Sequence, residues 1–278
     1  MFKTGLDKEM MFFCRSFRMW GVVIAAFAFA LLDPLMMKAL VSLTVTVSEL
    51  DPSLAELDLD PSLAELGFGG GNMAQAGIIG AVGDLTSTLL LILTLVIMYA
   101  AGGELKKRSM IIPWNAGLTP QLYLLPKFIL YPLFGAVLTL AGVLCSWLFS
   151  FALYSEVNVS FGQVFLGALL AAVFQMFLIS LYLTLGLCTA KAGLSVAVVY
   201  GGNVLLSTLF LSLGADKFHP FTLTTQAQNI IMGEEIDHPN LWGSIGVTVL
   251  LIALCYFVTL FVISAKRIDN RGEEEINL

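Results

Sequence analysis

Six long runs of apolar residues set the terms for any fold of this 278-residue chain. They cover residues 19–47, 77–101, 122–151, 161–187, 194–213 and 242–264. A membrane-crossing helix needs about 20 mostly apolar residues, and every run is long enough. None shows the strict alternation that a membrane-barrel strand requires. Residues 19–47 are interrupted by Asp33-Pro34 and Lys38, and 77–101 opens weakly through glycines. The first run is too long for the core of a cleaved signal peptide, and no small-residue cleavage site follows it.

Composition closes off the soluble alternative. The chain is 58% hydrophobic and 12% charged, where a soluble domain has roughly 45–50% and about 25%. Too little charge is present to coat a water-soluble protein of this size. The formal net charge of −6 gives a nucleic-acid partner no support. Cys14, Cys145, Cys188 and Cys255 lie in or beside apolar runs without CxxC spacing, which indicates neither a disulfide framework nor a zinc site. The expectation is an all-α polytopic membrane protein, one transmembrane domain over residues 1–278.

Basic residues accumulate on the cytoplasmic side of bilayers. Twelve of the fourteen fall on one side of the six-span topology: Lys3, Lys8, Arg15 and Arg18, then Lys106, Lys107, Arg108 and Lys127, then Lys191, and finally Lys266, Arg267 and Arg271. Only Lys38 and Lys217 lie elsewhere. Both termini are expected in the cytoplasm, with residues 265–278 as a cytoplasmic tail and the whole in a cell membrane. The first outer loop duplicates Asp-Pro-Ser-Leu-Ala-Glu-Leu at 51–57 and 60–66. Asp-Pro starts short helices, and these carboxylates read as a solvated loop or a cation collector.

Two cytoplasmic segments carry more. On a helical wheel Phe2, Leu6, Met10, Phe13 and Phe17 share one sector, with Lys3, Asp7, Lys8, Arg15 and Arg18 facing away. That pattern describes an amphipathic helix over residues 1–18 lying in the membrane interface. After span two comes Gly102-Gly-Glu-Leu-Lys-Lys-Arg-Ser-Met-Ile-Ile-Pro113. The chain should turn at the glycines and form a short surface helix, with Glu104 and Arg108 paired at i,i+4. Thr119-Pro120 and Lys127 then lead into span three.

An interfacial start, six spans, a Gly-Glu-basic segment after span two, a Thr-Pro with a following Lys and a long outer loop between spans five and six together resemble the type-2 ABC transporter permease family. The resemblance extends over essentially the whole chain. It implies that the helix after span two is a coupling helix docking on a separate ATPase subunit. Glu104, Leu105, Lys106, Lys107 and Arg108 would form that contact, although Leu105 stands where members often carry a basic residue. It further implies a re-entrant hairpin within residues 216–240, pairing with a second copy or a related permease, and export, while short inner helices and 20 phenylalanines favour a hydrophobic or amphipathic substrate. The chain has no GxxxxGK[ST] loop to cradle phosphates. It is therefore expected to be no enzyme and to need no cofactor of its own, ATP and Mg being bound by the partner.

Remaining polar residues in the spans divide between roles. Asp33 reads either as a pathway carboxylate or as a structural group at the Pro34 kink, paired loosely with Lys38. Gln175 and Asn203 read as polar groups that join helices. His238 follows Glu234-Glu-Ile-Asp without any metal-site spacing. Two other classes stay open: an ion-coupled secondary transporter, with inverted repeats and buried ionisable groups, and a non-transporting scaffold or membrane enzyme.

Overall fold

A computed structural model describes residues 2–50, 73–106, 118–155, 157–212, 217–235 and 237–276, and its regular elements there are all helical. In chain order these are α1 (Phe2–Arg15), α2 (Phe17–Leu50), α3 (Met73–Thr86), α4 (Thr88–Val96), a π-turn at Tyr99–Gly103 and a single turn at Glu104–Lys106. There follow α5 (Pro120–Leu153), α6 (Phe161–Thr189), α7 (Ala192–Ser212), α8 (Thr222–Met232) and α9 (His238–Ile276). Six stretches are long and apolar enough to cross a membrane: Phe17–Leu40, Met73–Val96, Pro120–Leu153, Phe161–Thr189, Ala192–Phe210 and His238–Ala265. The chain is a multi-pass, all-helical membrane protein.

Local chemistry sets several boundaries. Thr119 caps α5 by accepting the Leu122 backbone N–H, and Pro120 occupies the first turn, where it has no helical N–H to lose. Ser160 and Gln163 form a reciprocal capping box at the start of α6. Ala190, in the left-handed region at φ 55°, reverses the chain into α7. Pro34 sits inside α2 without ending it. A mid-helix proline leaves the carbonyl four residues earlier, that of Ala30, without its helical donor, and beside this kink the Tyr154 hydroxyl donates to the Pro34 carbonyl at 2.8 Å, tying the segment after α5 to it. A glycine faces that proline by necessity, since a Cβ at Gly77 would lie 2.8 Å from Pro34 Cα.

α6 is the most enclosed span, while α7 and α9 mostly face outward. Gly167, Ala168, Ala171 and Ala172 are buried along α6, and small residues of this kind let helix backbones approach closely in membranes. α8 has 11 residues, about 16 Å of helix, too short to cross a bilayer. Its buried face of Leu223, Ala227, Ile230 and Ile231 has helical spacing and packs on Gly167 of α6. Gly233, at φ 81°, closes it, and Gln75 of α3 donates to the Ile231 carbonyl at 2.6 Å. This short helix lies where a re-entrant element was expected between spans five and six.

Within span two the helix is irregular at Ser87, where hydroxyls of Thr86 and Ser87 bond back to carbonyls of the preceding turn. The last span, His238–Ala265, continues as helix to Ile276, 39 residues in all. The duplicated segment 51–66 lies outside the described residues.

Candidate functional site

Lys127 stands in the second turn of α5 with an exposure of 0%, so its charge must be met inside the protein. Its ammonium donates to Glu9 Oε1 at 2.8 Å and lies 3.1 Å from Glu104 Oε2. Tyr131 donates to Glu9 Oε2 at 2.7 Å, and Tyr123 to Glu104 Oε2 at 3.1 Å. Lys8, at the outer edge, donates to Glu104 Oε1 at 3.2 Å. Every carboxylate oxygen of the two glutamates thereby has a donor. Lys127 Nζ is also 5.0 Å from the centre of the Tyr123 ring. Two acids and two bases make the cluster neutral.

The elements bring these groups together for local reasons. Tyr123, Lys127 and Tyr131 are spaced four apart on α5 and so share one helix face. On α1, Gly5, Glu9 and Phe13 form a matching ridge. Gly5 lets the helix come close, because a Cβ there would be 3.3 Å from the Leu122 carbonyl and from Pro126 Cγ. Phe13 meets Phe134 edge to face, with centroids 4.1 Å apart. Glu104 is placed by the π-turn before it. Gly102 lies against α6, where a Cβ would be 2.7 Å from the Gly186 carbonyl oxygen, and Gly186 in turn faces the Ala101 carbonyl. Two glycines allow backbone to touch backbone at this crossing, which fixes where Glu104 begins.

Burial pushes the Glu104 carboxyl up, but the two lysines outweigh it and hold the group below the ordinary carboxylate value. It is ionised at neutral pH and tied to three side chains. Glu104 therefore faces inward within the chain and holds its turn in place. Leu105 is half-buried against the core. The backbone of Lys106 completes the turn, while Lys107 and Arg108 lie outside the described residues, as does the expected Glu104–Arg108 pair.

The inward face of the N-terminal helix carries Glu9, which is buried against Lys127, while Met10 of the expected apolar sector is exposed on the protein surface, as is Phe17 at the start of α2. Glu9, Tyr123 and Tyr131 were not singled out from the sequence. The available signal was a lysine flanked by tyrosines at i−4 and i+4 inside an apolar run.

The other polar residues take different places. Asp33 packs against Gly80 of α3, where an added Cβ would lie 3.5 Å from its Cβ, and its Oδ2 is buried without a hydrogen bond. Lys38 does not pair with it, donating instead to the Leu153 carbonyl at the end of α5, 2.7 Å away. Gln175 is buried in the core, but neither end of its amide finds a hydrogen-bond partner, and Asn203 Oδ1 has none either. They do not join helices by hydrogen bonds as expected; packing alone encloses them. Among the described residues no group of three or more His, Cys, Asp or Glu side chains could hold a metal ion.

Fold and site together define a class: a six-span helical membrane protein whose interfacial helix, post-span-two turn and third span are locked by a buried ionic cluster. Neither a family model nor a curated protein nor a solved structure matches the chain.

Proposed function

We propose that the chain is the membrane-spanning half of an ATP-driven transporter, working with a separate ATPase subunit and a second permease copy. The observation that carries this reading is the Glu9–Lys127–Glu104 cluster. It makes one unit of the interfacial helix, the turn from which residues 104–112 leave span two, and the start of span three. A push on that segment from a cytoplasmic partner would move α1 and α5 together, because separating them strands a buried charge. An all-helical bundle with an enclosed α6 then has the parts needed to convert such a push into a change of access. The orientation that supports this reading has both termini and residues 102–121 in the cytoplasm.

The test uses co-expression with a candidate stand-alone ATP-binding cassette subunit. Arg108→Ala, outside the cluster, should reduce co-purification or uncouple ATP hydrolysis from transport, while Lys266→Ala in the tail should do neither. Equal, negligible effects would remove the reading. A second reading, ion-coupled transport, draws on Asp33 and on Asp84 of α3, which bonds Thr88 and stands one turn from the Gly80 that Asp33 touches. It predicts uptake or efflux driven by a proton gradient without ATP, abolished by Asp33→Asn.

A further inference from the structure

At the end of the bundle opposite Lys127, a cavity of about 250 Å³ opens between the end of α7, one face of α8 and the turn leading into α9. One wall is aromatic. The Phe210 and His219 rings stack at 4.3 Å between centroids, and Phe221 stacks on Phe210 at 5.7 Å. The rim carries Glu234, Glu235 and Asp237, all exposed, and among the described residues no lysine or arginine lines the cavity. The rest of the lining is uncharged, with hydroxyl, amide and apolar side chains.

We propose that this cavity binds a small organic ammonium ion, its charge at the acidic rim and its apolar body against the aromatic wall. Three like charges around one opening set up a negative potential that draws in cations and repels anions. A bare metal ion is not the match, because among the described residues those carboxylates do not converge with another acid or histidine into a ligand set. The volume is below the roughly 300–1,000 Å³ of sites for drug-sized ligands, which limits the ligand to about one ring and a short chain. The proposal stands apart from the permease reading and holds whichever way the bundle is driven.

Calorimetric titration of the full chain in nanodiscs of zwitterionic lipid tests it, with empty nanodiscs as the blank. The probes are phenethylammonium, 2-phenylethanol and phenylacetate, which share a ring and differ in charge. Phenethylammonium should bind saturably, the alcohol about tenfold more weakly and the carboxylate not at all. Glu234→Gln, Glu235→Gln and Asp237→Asn combined should weaken phenethylammonium by about tenfold, the product of three modest exposed-charge contributions. These side chains are exposed, and Asn at 237 keeps the acceptor that Asp237 offers the Asn240 backbone N–H at the start of α9, so the combined variant keeps its fold. Equal binding of the three probes, absence of saturable ammonium binding, or an unchanged affinity in the combined variant would each overturn the proposal.

Discussion

Replacing Lys127 by Met is the most direct perturbation of the buried cluster. Methionine fills a similar volume but leaves Glu9 and Glu104 facing one vacated charge, while the exposed Lys8 still pairs with Glu104. Removing one partner of a buried ion pair costs about 3–5 kcal/mol, because the mate is left uncompensated. Glu9 takes most of this loss: its one remaining donor is the Tyr131 hydroxyl. A second change locates the cost. Glu9→Gln together with Lys127→Met restores neutrality, since Glu104 keeps Lys8 and Tyr123 while the new amide oxygen can still accept from Tyr131. The double variant should therefore recover about 2–3 kcal/mol, a coupling within the range for contacting residues. Equilibrium unfolding in mixed micelles, titrated with denaturing detergent and followed by circular dichroism, measures all four corners of the cycle. The reasoning is refuted if Lys127→Met lies within about 1 kcal/mol of the parent, or if the double variant is no more stable than Lys127→Met alone.

Three further outcomes follow from the same geometry. Gln175→Leu should stabilise the bundle by about 1–3 kcal/mol, because the buried amide has no partner to lose; a destabilised variant in the same unfolding assay would show that the amide is bonded. Gly186→Ala should destabilise by about 1–3 kcal/mol, since its Cβ meets the Ala101 carbonyl, whereas Gly201→Ala, with open space around it, should be neutral. The depressed Glu104 value means that the folded state favours the carboxylate. Its contribution is full above the ordinary 4.5 and is lost as pH falls through the lower folded value. Thermal unfolding across that acid range should show the loss, and Glu104→Gln should flatten it.

What was legible in the sequence is the part that depends on local composition. The run at 161–187 becomes a helix at Phe161–Thr189, because twenty-odd apolar residues in lipid have no other way to satisfy their backbone. Thr119-Pro120 starts α5 through a cap that involves only residues three apart. The cluster depends instead on contacts spanning 96 and 118 residues of chain, which no local pattern encodes. A helical wheel ranks faces by hydrophobicity, so it orients the first helix by its phenylalanines and passes over Glu9, whose place is decided by a lysine on another helix. Gln175 fails for the converse reason. Its residue type suggests a hydrogen bond, but the neighbours at that level are Gly135 of α5, Leu93 of α4 and Ile179 of its own helix, none with a polar side chain.

The order of the three charges along the chain bears on how the protein is made. Glu9 comes first, Glu104 second and Lys127 last. A lysine at the middle of a bilayer costs roughly 2.5–3.5 kcal/mol on insertion scales, and less near the end of a span, where Lys127 lies. By the time the ribosome delivers Lys127, both acids already exist, one on the interfacial helix and one at the foot of span two. The third span can thus enter the membrane at the edge of a waiting anionic socket, and its lysine is neutralised on arrival. A chain truncated to begin after residue 9 would present the same span to the insertion machinery with half of that socket missing.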